Sequence, residues 1–361
     1  MSWVHFTRRL ARRGAAVLIA VATAVTITTA APAAGSAPHT KVTQAATGPM
    51  TIVNYFPSMY AQGRFWNPWH PEVVNADFGV IAGTLHANTV RIFVPTQQFG
   101  FPGKLNTTYT AELSKLVGIA ANHGLRVYLN LFNYYVPYTD IADSQSWARQ
   151  LLAPYAGDPR IAAVEIQNEI NPYDASAISW AKAMIPYVRS VDGGIPVAVS
   201  VCGCNFYGDL KDLVAYLGAS QPDIYDFHYY PDPNANPSPT EAANITESSI
   251  EWVLSIAKYW AGTTGARLVV GETGESTFYP DAANSPSAAS DPQIEQTQAD
   301  YYTKVEQAAV AAGLPPAGTW DYIDTAYGGG VSDTTQRFFG LFRMDGTPKP
   351  AAAVVAQAFS H

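Results

Sequence analysis

The chain has 361 residues, of which 48% are hydrophobic and 14% are charged, and its formal net charge is −8 at pH 7. A chain of this length and hydrophobic content can bury a substantial core, and it suits one large globular domain. The negative charge argues against nucleic acid or an anionic membrane as a partner, because both are themselves negatively charged. A neutral polymer is compatible with this surface.

The first 38 residues have the composition of an export signal. Their basic segment contains four arginines, Arg8, Arg9, Arg12 and Arg13. Residues 15–28 are apolar, residues 31–33 are small enough for cleavage, and no later run of about 18 apolar residues follows. We therefore expect a signal peptide over 1–38, a spacer over 39–50 and a secreted domain over 51–361. Loss of the four arginines would change the net charge from −8 to −12, since the segment carries no acidic residue.

Beyond the spacer, short β-branched and apolar runs alternate with segments of helical periodicity. Strands are predicted over residues 51–55, 89–94, 125–131, 161–166, 196–201, 224–227, 267–270 and 318–322. Helices are predicted over residues 71–87, 109–123, 144–155, 175–191, 207–217, 248–261, 293–312 and 350–359. Strands interleaved with helices favour parallel pairing, and eight repeats predict an α/β fold closed into a (β/α)8 TIM barrel.

The connecting loops indicate which end of the barrel carries a cleft. Links from helix to strand are short, and two of them are the single residues Asn88 and Gly124. Links from strand to helix are long and lie at 95–108, 132–143, 228–247 and 271–292. Long loops at the carboxyl ends of the strands are where barrel enzymes build their active sites. The proline-rich parts at 231–239 and 280–292 are therefore interpreted as cleft walls rather than linkers.

Cys202 and Cys204 are the only two cysteines of the sequence. In an extended strand their Cα atoms would be about 6.6 Å apart, close to the upper limit for a disulfide. No histidine or further cysteine near them completes a zinc site. The spacing therefore favours two buried free thiols over a disulfide.

Two predicted strands lead into a carboxylate. Asn168 and Glu169 follow the fourth strand, and Glu272 follows the seventh. Gly271 and Gly274 flank Glu272 and would let a ligand approach the backbone. Strands four and seven lie across a barrel from one another, so Glu169 and Glu272 are expected to face each other over one mouth. Two carboxylates so placed are the minimal equipment for glycoside hydrolysis.

Further candidate residues lie on the same rim. Arg91 lies inside an apolar strand, where its charge needs an anion, either a structural ion pair or an ionised nucleophile. His228 and Tyr230 end the sixth strand two residues apart and are expected to share a face. Trp320, on the eighth strand, is either a sugar platform or a core residue. Glu275, further into the loop after the seventh strand, is a less firmly placed rival for the second carboxylate.

As an ordered set, these residues resemble the motifs of clan A glycoside hydrolases, especially glycoside hydrolase family 5, from about residue 51 to the end. The resemblance implies a retaining hydrolase of β-glycosidic bonds, acting on a polysaccharide of glucan or mannan type. It also implies that Glu169 is the acid/base and Glu272 the nucleophile, and that Asn168 bonds the sugar 2-hydroxyl. Glu169 is expected to start protonated and Glu272 to stay ionised.

The resemblance assigns roles to the remaining rim residues as well. Arg91 and Tyr230 would hold Glu272, His228 would lie near the acid/base, and Trp320 would lie beneath the reacting sugar. The chain also departs from the family pattern at two places. Where the family usually has a histidine at the end of the third strand, this chain offers asparagines at 130 and 133, and residue 273 is a threonine instead of an aromatic. These departures bear on the substrate more than on the chemistry.

Two other classes of protein compete with this reading. A catalytically silent carbohydrate-binding barrel is the main alternative, but a binder has no need of both Glu169 and Glu272. A metal-dependent barrel hydrolase is disfavoured because no His-x-His or His/Asp cluster ends a predicted strand. The sequence therefore predicts no metal and no cofactor, a polysaccharide or oligosaccharide partner, and a monomer.

Aromatic residues outside the motif set suit additional sugar subsites, since the sequence contains 21 Tyr and 8 Trp. About half of these candidates are expected to belong to the core instead. The candidates are Tyr55, Trp66, Trp69, Tyr134, Tyr135 and Tyr138.

Overall fold

The computed structural model describes residues 48–59, 64–133, 138–230, 244–278, 292–326 and 335–361. The predicted signal peptide at 1–38 and nearly all of the spacer lie outside the described residues. So do the proline-rich segment at 231–239, nearly all of the one at 280–292, and Tyr134 and Tyr135.

The described chain contains eight short strands. They are β1 (Ile52–Asn54), β2 (Thr89–Pro95), β3 (Arg126–Asn133), β4 (Ile161–Glu165), β5 (Val197–Cys202), β6 (Cys204–Tyr207), β7 (Ile224–Tyr229) and β8 (Arg267–Thr273). Seven of them form one parallel sheet in the order β1-β2-β3-β4-β5-β7-β8. Each added strand is the next one along the chain except where β6 is passed over, as repeated βαβ units require.

Thr319 brings the two edges of this sheet together. It forms isolated parallel bridges with Val53 of β1 and with Thr273 of β8, and Asn54 N donates to Thr319 O at 3.1 Å. The predicted eighth barrel strand at 318–322 is therefore reduced to a bridging position rather than a regular strand. The prediction of a (β/α)8 TIM barrel is confirmed.

Helices separate the strands and cover the outside of the barrel. They are α1 (Pro71–Gly83), α2 (Thr107–Asn122), α3 (Ile141–Leu152), α4 (Ala175–Val191), α5 (Gly208–Leu217), α6 (Glu247–Gly262), α7 (Pro292–Ala311) and α8 (Pro350–Phe359). Short 3-10 helices follow at Ala153–Tyr155 and Thr335–Phe338. Side-chain caps explain several starts, because Asn106, Asp174 and Thr246 each accept a hydrogen bond from a first-turn backbone N–H. Among the described residues, no helix has both the length and the apolar character that a membrane crossing requires.

The inward face of β7 shows how the barrel interior is layered. Ile224 belongs to an apolar cluster with Ile52, Tyr128 and Val269 from neighbouring strands. Two residues further along β7, Asp226 is fully buried in a charged layer, and a further two residues bring His228 to the carboxyl end. Because side chains alternate along a strand, all three β7 residues point inward. The charged layer thus lies between an apolar floor and the mouth.

Cys202 is disulfide-bonded and no described cysteine is free, so the expectation of free thiols is wrong. That expectation assumed one continuous extended strand. Instead β5 ends at Cys202, and β6 begins only after Gly203, whose backbone N donates to His228 O at 2.7 Å. A Cβ at Gly203 would lie 2.8 Å from that same oxygen, so the turn depends on glycine.

Candidate active site

Arg91 is the centre of the charged layer. All five of its N–H groups donate hydrogen bonds: Nε and Nη2 each reach Glu165 at 2.8 Å, Nη1 reaches Asn54 at 2.9 Å and also Glu272, and Nη2 reaches Asn168 at 2.7 Å. Burial alone would lower the pKa of Arg91, but the charges of Glu165 and Glu272 raise it well above its usual value. Both anions foreseen for this arginine are therefore present, a structural one and the candidate nucleophile.

Glu272 reaches the mouth because β8 contains a β-bulge. Asp226 pairs with Val269, but His228, two residues further along β7, pairs with Glu272, three residues further along β8. Val269 faces the barrel interior, so without the extra residue Glu272 would face the helices. The bulge turns the carboxylate inward, toward Arg91.

The carboxylate of Glu272 is held at both oxygens. Arg91 donates to Oε1, and the Tyr230 hydroxyl donates to Oε2 at 3.1 Å. Burial raises the pKa of Glu272, and the charges of His228 and Arg91 act against that rise. Burial and the Glu272 charge raise the pKa of Tyr230 well above its usual value, so the phenol keeps its proton and remains a donor.

Glu169 is aimed by its backbone. Its φ is +51°, a left-handed conformation that costs a residue with a Cβ about 1–2 kcal/mol. Ser200 on β5 holds this turn, since its Oγ accepts from Glu169 N at 2.7 Å and donates to Gln167 O at 3.2 Å. The side chain is 30% exposed, compared with 6% for Glu272, so Glu169 is the carboxylate that faces the open mouth.

His228 lies between the two candidate catalytic carboxylates. Its Nδ1 is 3.0 Å from Glu169 Oε1 and 3.5 Å from Glu272 Oε2, and its Nε2 is 3.7 Å from Asp226 Oδ1. Burial alone would lower the pKa of His228, but the carboxylates of Glu272 and Asp226 raise it to about 10. His228 is therefore an imidazolium at neutral pH. Asp226 is its permanent counter-ion, because that positive charge outweighs burial and lowers the pKa of Asp226.

The separation of the two carboxylates bears on the stereochemistry. One oxygen of Glu169 and one of Glu272 lie within 4.8 Å of each other and of a His228 nitrogen. Retaining glycosidases hold their carboxyl groups about 5–5.5 Å apart, whereas inverting enzymes need roughly 6.5–9.5 Å to admit a water. The close approach of these two oxygens fits the shorter, retaining separation better than the longer one.

Asn168 and Trp320 lie on the same rim. Arg91 Nη2 donates to Asn168 Oδ1 at 2.7 Å, so the NH2 group of Asn168 is not needed for this bond. Trp320 is half-buried, and Phe56 and Phe93 each meet its ring nearly perpendicularly with centroids 5.9 Å apart. A tryptophan ring that packs against two phenylalanines and stays partly exposed is suited to pack against a sugar.

Several other sequence candidates lie elsewhere. Glu275 is only 1% exposed, so it does not compete for the mouth. Asn130 is fully buried, and Thr273 is engaged with the Tyr301 hydroxyl at 2.5 Å. Of the aromatic subsite candidates that are described, most belong to the core: Tyr55 is 0% exposed, Trp66 1% and Tyr138 8%, and Trp69 packs against them.

Glu165, Asp226 and Ser200 complete the centre, and none of them was predicted as a functional residue from the sequence. A charge inside an apolar strand was the available signal for the two acids, just as it was for Arg91. Ser200 carried no signal, because a serine in a strand is unremarkable until its neighbour is known.

Two sets of carboxylate and imidazole atoms are spaced closely enough for a metal ion, within 4.8 Å of one another. One is Glu165, Asp226 and His228, and the other is Glu169, His228 and Glu272. Both sets rely on His228, which would have to give up a proton to bind a metal ion. Glu165 is also engaged by Arg91 through both oxygens. The residues present thus suit ion pairing better than metal binding.

Comparison with known protein families also indicates a glycoside hydrolase. The family model described as "Cellulase (glycosyl hydrolase family 5)" matches residues 50–312. The chain belongs to this family, and it is a retaining glycoside hydrolase that acts on β-glycosides. Its substrates are therefore carbohydrates. Comparison with curated proteins returned no match.

Solved structures show the same fold at low sequence identity. An exo-β-1,4-mannosidase from Opitutaceae bacterium strain TAV5 is 17% identical with a TM-score of 0.68, and the match covers 86% of this chain but 59% of that one. A GH5_18 protein from Streptomyces cattleya in complex with Manβ1-4GlcNAc is 20% identical with a TM-score of 0.68, covering 87% and 80%. A GH5_18 protein from Bifidobacterium longum subsp. infantis is 17% identical with a TM-score of 0.67, covering 86% and 78%.

Proposed function

We propose that the protein is a secreted, monomeric hydrolase that cleaves a β-linked glucan or mannan by double displacement, with Glu169 as acid/base and Glu272 as nucleophile. The observation that carries this assignment is the pair itself: two carboxylates within 4.8 Å of each other, one buried and one facing the mouth. A pair of this kind at the carboxyl ends of opposite barrel strands fits a retaining mechanism.

In the first step Glu272 attacks the anomeric carbon, and Glu169 gives its proton to the departing oxygen. In the second step Glu169 takes a proton from water, which displaces the sugar from Glu272. Four carboxylates share this centre with only two cations, Arg91 and His228. The first step requires a proton on Glu169 and a negative charge on Glu272.

Three other residues support the reaction. The Tyr230 hydroxyl and the Arg91 guanidinium fix both oxygens of Glu272, so that the nucleophile does not need to reorient. The NH2 group of Asn168 would bond a sugar 2-hydroxyl, an interaction that strengthens in the transition state.

A mannose-containing substrate is favoured over a pure glucan. The names of the similar structures include an exo-β-1,4-mannosidase and a complex with Manβ1-4GlcNAc. A carbohydrate-binding barrel without activity has no use for a pair of carboxylates joined through an imidazolium. Secretion rests on the composition of residues 1–38. The mature chain should begin between Ala31 and Gly48, and secreted protein that still contained Arg8 would contradict this.

The assignment is tested by azide rescue. Glu272→Gly with an activated aryl β-glycoside and sodium azide should release an α-glycosyl azide, because azide enters the space left by the nucleophile from the same side. Glu275→Gly is the matched control and should form no azide adduct. An adduct from the Glu275 variant alone, or inverted configuration in the first product of the wild type, would overturn the assignment.

A further inference from the structure

Three large aromatic side chains remain exposed at the carboxyl end of the barrel. Tyr173 is 53% exposed, Phe206 56% and Trp252 55%. Tyr173 lies in the loop after β4, Phe206 lies in β6, and Trp252 lies in the first turns of α6, so all three are on the face that carries the mouth. Single exposed aromatics are ordinary, but a contiguous group next to a site indicates a binding surface.

Contacts link the segments that carry these residues, through the two neighbours of Phe206 in β6. The Tyr173 hydroxyl donates to Asp212 Oδ2 of α5 at 3.0 Å and also bonds with Asn205, the residue before Phe206. The residue after Phe206 is Tyr207, whose ring centroid is 5.4 Å from that of Trp252. The patch therefore runs from the β4 loop across β6 to α6.

The patch begins on the side of the acid/base. Tyr173 is only four residues beyond Glu169. Between them, Ile170 N donates to Ser200 O at 3.0 Å, which carries the loop over the end of β5 toward β6. Trp320 lies on the other side of the centre, where residue 319 bridges β8 and β1. The two aromatic surfaces thus flank the carboxylate pair.

The different roles of Glu169 and Glu272 indicate which part of the substrate each aromatic surface binds. An acid that protonates the departing oxygen must face the part of the substrate that leaves. We propose that Tyr173, Phe206 and Trp252 form a platform for the leaving-group part of a β-linked glucan or mannan chain. This inference rests on the proposed function, and it adds that the enzyme engages several sugars beyond the bond it cleaves.

The composition of the patch suits sugars rather than a protein partner. The C–H face of a pyranose is apolar and packs on the electron-rich face of an aromatic ring. Polar groups border the rings, namely the exposed amide of Asn205 and the partly exposed carboxylate of Asp212. They are placed to bond the hydroxyls at the edges of each sugar. A row of rings bordered by acceptors is compatible with a neutral polymer and adverse to an anionic one.

The test compares a substrate that extends beyond the cleaved bond with one that does not. One is soluble glucomannan, and the other is a β-mannobiosyl or β-cellobiosyl fluoride, whose single-atom leaving group cannot reach the platform. Phe206→Ala and Tyr173→Ala should lower kcat/KM on glucomannan about tenfold or more and leave kcat/KM on the fluoride within about twofold. Tyr173→Phe keeps the ring and should behave like the wild type on both.

Tyr259→Ala supplies the matched control. Tyr259 is also on α6 and is 64% exposed, but it lies two turns beyond Trp252 toward the opposite end of the barrel. It should leave both rates unchanged, whereas Trp252→Ala should affect glucomannan alone. Equal losses on both substrates, or no loss on glucomannan, would overturn the platform.

A binding measurement tests the platform separately from the proposed hydrolase function. In affinity electrophoresis, glucomannan in the gel should retard Glu272→Gly, and Phe206→Ala introduced into that variant should abolish the retardation. If the wild type hydrolysed neither substrate while retardation still depended on Phe206, the proposed function would fail and the platform would stand. Retardation that did not depend on Phe206 would overturn the platform whatever the activity.

Discussion

Asp226 and Gly271 lie side by side on β7 and β8, and the carboxylate of Asp226 fills the space that a side chain at Gly271 would need. A Cβ built at Gly271 would overlap both carboxylate oxygens of Asp226. A Cβ at Gly274 would meet Trp320 O and would lie 2.9 Å from Phe339. The glycines on either side of Glu272 thus make room for the protein's own groups, and not for a ligand as the sequence suggested.

Gly271→Ala should therefore destabilise the protein and reduce its activity together. Overpacking a buried site costs about 1–3 kcal/mol, and displacement of Asp226 would remove the counter-ion of His228. Denaturant unfolding and kcat/KM measure the two effects. Gly118→Ala is the control, since nothing lies within 4 Å of its Cβ position on α2. It should leave activity unchanged and raise stability by up to about 1 kcal/mol. A Gly271 variant that behaved like this control would contradict the packing argument.

The hydrogen bonds of Arg91 predict that lysine cannot replace it. A lysine ammonium is a single point and cannot reach both oxygens of Glu165 while it also bonds Asn54, Asn168 and Glu272. Arg91→Lys should lower the unfolding free energy by about 3–5 kcal/mol, the usual loss when a buried ion pair is broken. Its kcat/KM should fall by at least about 100-fold, because the nucleophile loses its support.

Arg189→Lys is the matched control for this substitution. Arg189 Nη2 is 3.1 Å from Asp223 Oδ1, but the two side chains are 39% and 43% exposed. Exposed pairs of this kind are worth about 0–1 kcal/mol, so the control should unfold at nearly the wild-type denaturant concentration. Similar losses in the two variants would show that the charged layer has no special role.

The positions of the two candidate catalytic residues could be predicted from the sequence, but their orientations could not. Glu169 and Glu272 could be predicted because each follows a recognisable buried strand, and a barrel topology places the ends of strands four and seven opposite each other. The inward orientation of Glu272 could not be predicted, because it depends on one extra residue in β8. Strand alternation alone would have turned its side chain outward. Asp226 beside Gly271 is likewise a matter of register between strands.

Exposure was the other property that the sequence did not reveal. Tyr55 and Trp66 were candidates for sugar contact and are core residues, whereas Phe206 and Trp252 are open to solvent and were not considered. Aromatic side chains suit both environments. The exposure of Phe206 depends on how β6 leaves the barrel after the disulfide at Cys202, and no local pattern specifies that path.

Glu306 on α7 makes stability depend on pH. Burial raises the pKa of Glu306 to about 8, although a hydrogen bond from Ala317 N at 3.3 Å opposes the rise. A folded-state pKa above the unfolded value stabilises the protein fully below about pH 4.5, and this contribution is lost as the pH rises through about 8. Glu306→Gln cannot ionise, so it should match the wild type at pH 4. At pH 8 it should be more stable on the order of a few kcal/mol. Unfolding curves that differ by the same amount at both pH values would exclude this titration.

The proposed roles of Glu169 as acid/base and Glu272 as nucleophile predict that the rate loss of Glu169→Ala depends on the leaving group. General acid catalysis is worth roughly 10²–10⁴-fold, and an activated aryl group departs without it. The value of kcat/KM reports the steps up to cleavage of the glycosidic bond, so it isolates the acid role from the later base role. Glu169→Ala should therefore lose roughly 10²–10⁴-fold in kcat/KM on glucomannan and far less on a dinitrophenyl glycoside. Glu272→Ala is the comparison, because loss of the nucleophile should slow both substrates alike. If Glu169→Ala also slowed both alike, Glu169 would not be the proton donor, and the geometry around His228 would need another explanation.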